Sequence, residues 1–178
     1  LESFKLRFEE MSQKHKRWVK VLGTKKTKET IIINGDSKQL SSLLIKKING
    51  TVSSPPYASA LPYIDTYRLS MVALGLITPE EILQKEKELI GARDISTNDK
   101  KLFLSQNAIL PLSVLRVVEY LYEAMENDDS AGFRKKAVPY SFSRYAHSIL
   151  KVLNEIYILE ESGSKNLWVL GPNRVKLK

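Results

Sequence analysis

The residues best suited to chemistry in this sequence are Ser54-Pro55-Pro56-Tyr57. Two successive prolines remove two backbone donors and fix φ, so the carbonyls before and within the pair stay out of helical hydrogen bonding and are held in a rigid extended turn. The segment offers acceptor oxygens on Ser54 and Pro55 and an aromatic ring at Tyr57, where a planar substrate could dock. Ser-Pro-Pro also marks plain turns, so its position along the chain has to carry part of the argument. Asp36 and Ser37 form a second candidate, because a carboxylate just after an apolar run either meets a ligand or caps the next helix. Asp65 and Arg68 sit close behind the proline turn, at the spacing of an intrahelical ion pair or with the arginine free for a phosphate. The chain has no cysteine and only two histidines, His15 and His147, which excludes a disulfide scaffold, a thiolate nucleophile and cysteine-ligated metal, and makes a histidine metal centre a poor fit; no metal site is expected.

These groups need elements to position them. Ile31, Ile32 and Ile33 form a short β-branched run that stops at Asn34-Gly35-Asp36, the pattern of a buried parallel strand ending in a loop. Leu40, Leu43, Leu44 and Ile48 then recur at helical spacing, with Asp36 or Ser37 as cap, and a second strand over 50–53 runs into the proline turn. Strand, helix and strand in succession predict a right-handed parallel crossover, and in an open α/β sheet ligands bind at the carboxyl ends of strands. Further helices are expected over Tyr63–Leu74, from the capping signature Thr78-Pro79-Glu80-Glu81 to Gly91, over Leu112–Met125, and from about Ser141 through Ile156. After a turn at Glu161-Ser162-Gly163-Ser164, a third strand is expected over 166–170. Trp18 and Trp168 read as packed core residues and His147 as a structural one. Three apolar strands joined through helices predict an α/β fold, a partial doubly wound parallel sheet covered on both faces, with an inserted helical region at about 77–135. Such sheets usually have about twice as many strands, so the chain reads as incomplete.

At 178 residues the chain can build one core of ordinary size. A basic N-terminal helix and loop over 1–29 precedes the catalytic portion expected over 30–178, and the helix repeats Phe4, Phe8, Met11, Trp18 and Val21/Leu22 on one side. The net charge is +8, distributed as basic ends around an acidic middle: residues 1–30 carry nine basic and four acidic side chains, and 77–130 carry six and eleven. That polarity suits steering of a phosphate backbone and equally a pair of solubilising termini. Lys135, Lys136, Arg174, Lys176 and Lys178 are the candidate phosphate contacts. No apolar run approaches the length needed to span a bilayer, and early charges argue against a signal peptide, so a cytoplasmic protein without a membrane partner is expected.

In its strand context, Val52-Ser53-Ser54-Pro55-Pro56-Tyr57 resembles the catalytic loop of the amino-methylating DNA methyltransferases, the prokaryotic restriction-modification family that modifies cytosine N4 or adenine N6 with S-adenosyl-L-methionine. The likeness runs downstream through Tyr63-Ile-Asp-Thr-Tyr67-Arg68-Leu69 and upstream to Gly35-Asp36-Ser37, which resembles the family's adenosine-contacting position. It returns at Arg144-Tyr145, at 152–157 and at 167–174, so it covers about 30–76 and 140–174. The resemblance implies a Rossmann-like fold, a double-stranded DNA partner, Asp36 and Ser37 at the cofactor, and Ser54, Pro55, Pro56 and Tyr57 as the catalytic unit. Serine at the first loop position resembles the cytosine-N4 type. An aromatic amine is a poor nucleophile until acceptors hold its hydrogens, a task for the Ser54 side chain and Pro55 carbonyl, while Tyr57 stacks on a base extruded from the duplex. Methylation through a cysteine adduct is excluded.

The sequence departs from the family in having no Phe-x-Gly-x-Gly loop; its eight glycines are isolated. A missing segment or a partner subunit would have to supply that loop. Two other readings remain open. One is a non-catalytic DNA-binding module in which the helices near 112–126 and 141–158 belong to a winged helix. The other is a regulatory subunit that keeps the methyltransferase layout without turnover.

Overall fold

The computed structural model describes residues 2–22, 30–58, 63–92, 95 and 109–171. Its elements in chain order are α1 (Glu2–Leu22), a 3-10 turn (Ser37–Gln39), α2 (Leu40–Leu43), β1 (Ile48–Ser53), α3 (Tyr63–Ala73), α4 (Pro79–Glu88), α5 (Leu112–Glu126), α6 (Phe133–Lys136), α7 (Val138–Leu159) and β2 (Glu160–Trp168). The chain divides into two compact units, 1–34 and 35–178.

In the first unit α1 forms over the expected span, with the Arg7–Glu10 ion pair at 3.2 Å one turn apart on its surface. Its apolar side chains from Leu6 to Val21 are exposed. Trp18 is 63% exposed and Phe8 and Met11 are also exposed, which corrects the expectation that Trp18 is a core residue. Among the described residues of its unit, this single helix has no second element to bury that stripe against. The strand expected at 31–33 does not form either: the three isoleucines have no assigned strand structure, and Ile32 is 92% exposed. Composition can favour a strand, but a strand exists only through a ladder partner.

The second unit is built on two apolar contacts. Val118, Leu121 and Met125 of α5 lie at i, i+3 and i+7, Val152, Ile156 and Leu159 of α7 at i, i+4 and i+7, and both sets are buried where these helices pack together. Ile64 of α3, Ile77 just before α4 and Ile82 of α4 form a smaller cluster, with Met71 against it. α4 begins as its sequence dictates: the Thr78 hydroxyl accepts from the Glu81 amide and the Glu81 carboxylate accepts from the Thr78 amide. That pairing holds the Glu81 carboxyl below its usual pKa, the Thr78 amide acting first.

β1 and β2 pair in parallel, with Thr51 beside Asn166, Val52 beside Leu167 and Ser53 beside Trp168. The parallel relation expected of these two segments therefore holds, while the three-strand sheet reduces to two strands among the described residues. The sheet is not covered on both faces as expected. Val52 is 81% and Leu167 59% exposed, and as cross-strand neighbours they open the same face to solvent. Residues 161–164, expected as a turn before the strand, lie inside β2, where Ile48 pairs with Glu160 but Gly50 with Lys165; the turn-forming sequence is absorbed as a bulge.

The long helix expected after Asp36 is only the 3-10 turn and α2, since Leu44 is already extended. What fixes this short piece is α7: Glu155 accepts from the Ser41 amide at 2.7 Å and from its hydroxyl at 2.6 Å. The Ser41 hydroxyl and then its amide hold the Glu155 carboxyl below its usual pKa of 4.5. A carboxyl depressed by folding stabilises above its unfolded pKa and loses that contribution as pH falls through the depressed value. The Ser41 amide should therefore lose protection from hydrogen exchange as pH falls below about 4.5, and Glu155→Gln should abolish that pH dependence. Equal pH dependence in the variant would assign the effect to another group.

Candidate active site

The proline turn leaves β1 at its carboxyl end, beside the end of β2. The ladder continues one step past the assigned strands, with the Val169 amide donating to the Ser53 carbonyl at 2.9 Å. The next residue repeats the link through its side chain, for the Ser54 hydroxyl donates to the Val169 carbonyl at 3.3 Å. With its proton directed there, the Ser54 oxygen keeps its lone pairs for an outside donor. Ser54 itself is exposed, Pro55 is buried, and Pro56 and Tyr57 are half-buried.

Tyr57 carries the first amide proton after the two prolines, and it donates to the Tyr63 hydroxyl at 3.1 Å. This bond spans the turn and ties it to the first residue of α3. Burial, followed by the neighbouring Tyr63 phenol, pushes the Tyr145 hydroxyl of α7 above its usual pKa, which keeps it neutral beside the same anchor. Two glycines close in on Tyr57 from other segments. A Cβ on Gly91, where φ is +83°, would stand 3.0 Å from the Tyr57 carbonyl oxygen, and one on Gly171 would stand 2.8 Å from the Tyr57 ring. A side chain at Gly171 would require the Tyr57 ring to shift, and at Gly91 the left-handed backbone favours glycine.

The Gly91 segment connects the other candidate to this turn. Asp36 caps the 3-10 turn by accepting from the Lys38 amide at 2.9 Å, and its second oxygen lies 3.4 Å from the Lys38 ammonium. That ammonium also donates to the Glu88 carbonyl at 3.0 Å, at the end of α4 and three residues before Gly91. From the other side, Arg144 of α7 donates to the Ala92 carbonyl at 2.6 Å. The stretch 88–92 thus meets Lys38, the partner of Asp36, at Glu88 and lies close to the Tyr57 carbonyl at Gly91. Ser37 begins the 3-10 turn next to the capping acid.

The remaining candidates are dispersed. Arg68 is exposed on α3, and among the described residues neither it nor Asp65 enters an ion pair, so the expected intrahelical link does not form. Lys135 is 3.5 Å from Asp128, whereas Lys136 is exposed. Arg174, Lys176 and Lys178 lie outside the described residues. His147 is half-buried with no partner for Nε2; burial, then the Lys151 ammonium, lowers its pKa and favours a neutral ring. The described residues contain no group of histidine, aspartate and glutamate able to hold a metal, and no helix among them is long and apolar enough to cross a membrane.

Sequence reasoning passed over the positioning role of Tyr63, Gly91, Arg144 and Gly171. Gly91 carried the signal of a helix stop, but nothing local announces that its neighbour is a turn 34 residues earlier. Comparison with known proteins yields no matching family model, no matching curated protein and no matching solved structure.

Proposed function

We propose that this chain carries the catalytic loop of a cytoplasmic, S-adenosylmethionine-dependent DNA methyltransferase of the restriction-modification type, acting on an exocyclic amino group, with cytosine N4 favoured by serine at the first loop position. The observation that carries the reading is the Ser54–Tyr57 turn at the carboxyl end of a parallel strand, its hydroxyl proton directed to Val169 and its acceptor face exposed. The cofactor, when bound, supplies an electrophilic methyl group. This chain's residues suit one end of it: the Asp36 carboxylate is exposed and oriented by Lys38, available to adenosine hydroxyl or amino donors beside Ser37. The Gly-rich loop for the amino-acid end would come from a further segment or a partner subunit.

Within that reading the Ser54 oxygen and the Pro55 carbonyl accept the two amine hydrogens, so that the lone pair is freed toward the methyl group as the nitrogen pyramidalises. Tyr57, its amide tied to Tyr63 and its ring beside Gly171, offers that ring to an extruded base. Double-stranded DNA is the substrate, with Arg68, Lys136 and the basic C-terminal residues as phosphate contacts. The lack of a Gly-x-Gly loop in the sequence favours a second reading, a regulatory subunit that binds DNA without turnover.

One assay separates them. The assembly recovered from native cells with a tagged copy of this chain, with and without Ser54→Ala, is given methyl-labelled S-adenosylmethionine and duplex DNA, and the expected product is label on an exocyclic base nitrogen that falls with the substitution. Tyr57→Ala should weaken capture of the flipped base by about 1–3 kcal/mol, the scale of base–aromatic stacking. Duplex binding with no transfer, or with transfer that ignores Ser54→Ala, would favour the regulatory reading and end the catalytic one.

A further inference from the structure

The segment between α5 and α7 presents an aromatic side chain to solvent on a fixed support. Asp128 accepts from the Ser130 amide at 2.9 Å and its hydroxyl at 2.5 Å, and the Ala131 amide returns to the Asp128 carbonyl at 2.9 Å. The single turn of α6 follows, with the amides of Lys135 and Lys136 on the Gly132 carbonyl and that of Ala137 on the Phe133 carbonyl. Ala131 before it is buried and Pro139 after it is completely so, which seats both ends of the segment in the unit. Asp128 also neutralises Lys135, at 3.5 Å. Out of this frame projects Phe133, 80% exposed, with the Arg134 guanidinium 5.9 Å from its ring centroid.

A phenylalanine in water beside a guanidinium and a second exposed cation is a specific chemical combination. Lys136 lies three residues after Phe133, hence on the same side of the helical turn, and neither Arg134 nor Lys136 forms an ion pair among the described residues. A purely apolar partner would leave both cations without counterions in the contact, and an acidic peptide would gain little from the bare ring. A nucleobase freed from its stack matches all three: a flat π-face for Phe133, an edge or second face for the Arg134 plane, and an adjoining phosphate for Lys136.

We infer that Phe133, Arg134 and Lys136 form a stacking site for an unpaired base of single-stranded DNA, separate from the Ser54–Tyr57 turn. The inference deepens the DNA reading above by assigning a strand-holding contact, and its fate is independent of whether methyl transfer occurs. The chain itself is titrated against a single-stranded oligonucleotide carrying 2-aminopurine, with the fully paired duplex as comparison. Stacking should quench the 2-aminopurine emission. Phe133→Ala should weaken single-strand binding roughly five- to a hundredfold and remove the quench, with the salt dependence unchanged. Phe133→Trp should restore both. Lys136→Gln should preserve the quench but flatten the log–log salt dependence by about 0.7. All three side chains are exposed, so the variants should keep the circular dichroism of the parent. Binding that ignores Phe133→Ala, that falls equally for duplex and single strand, or that is absent altogether would overturn the inference. Loss of the methyltransferase reading would instead show in Ser54 variants, with this titration unaffected.

Discussion

Ser54→Ala is expected to slow methyl transfer on the order of 10²-fold while leaving DNA affinity nearly unchanged, the magnitude seen when one preorganised polar contact to a reacting group is deleted. The asymmetry has a geometric origin. In the ground state the base amine is planar and its hydrogens are satisfied about as well by water as by a hydroxyl, so the contact adds little to binding. In the transition state the nitrogen pyramidalises and becomes electron-poor, and an acceptor already in place strengthens its hold without reorganising. Ser54 meets that requirement because its own proton is directed toward the Val169 carbonyl. Single-turnover transfer of labelled methyl, measured in the native assembly beside equilibrium DNA binding, separates the two quantities. Transfer at the unmodified rate would make the Ser-Pro-Pro-Tyr segment a structural turn and remove the central residue of the proposed mechanism.

Met125→Ala should lower the stability of the unit spanning 35–178 by about 2–5 kcal/mol, since a buried large-to-small change loses both transfer free energy and the packing around the cavity it leaves. Met125 is 1% exposed at the α5–α7 contact, where Val118 is fully buried and Val152, Ile156 and Leu159 are nearly so. The loss is large against a total of about 5–15 kcal/mol for an ordinary domain, and this unit leaves Val52, Leu74, Leu76, Leu167 and Leu170 in water. Urea denaturation followed by circular dichroism should show a lower midpoint at constant slope. Leu83→Ala, at an exposed site on α4, should stay within about 0.5 kcal/mol of the parent. A shift below about 1 kcal/mol for Met125→Ala would place the stabilising core elsewhere.

Local signals proved legible and distant ones did not. The start of α4 could be read because Thr78 and Glu81 satisfy each other within three residues, and the Leu112–Met125 periodicity maps directly onto the face that α5 buries. The two apolar segments that pair as β1 and β2 were visible by composition, although β2 begins earlier than its most apolar stretch because a bulge absorbs 161–164. Ile31-Ile32-Ile33 has stronger β-composition than either, yet forms no strand, and Trp18 has the size of a core residue but is exposed on its helix. Pattern reports what a segment favours, and burial is decided by what arrives opposite. At the candidate site the chemistry-bearing turn was legible because prolines constrain their own neighbours. Its supports were not, because Gly91, Gly171 and Arg144 act through contacts far apart in sequence.

The separation between β1 and β2 sets an order of events during synthesis. The Ser54 hydroxyl and the Val169 carbonyl are 115 positions apart, so at a ribosomal pace of about 5–20 residues per second the turn waits roughly 6–23 s for its second strand. Throughout that interval β1 is a lone strand with an open ladder on a nascent chain, while α4 and α5 can already coil from local contacts. Closing so long a loop adds little entropy penalty per extra residue, but it delays the reward until β2 has been made. The acceptor geometry at Ser54 therefore matures only after β2 has emerged, and a polypeptide released before residue 160 would never acquire the parallel ladder that sets that geometry.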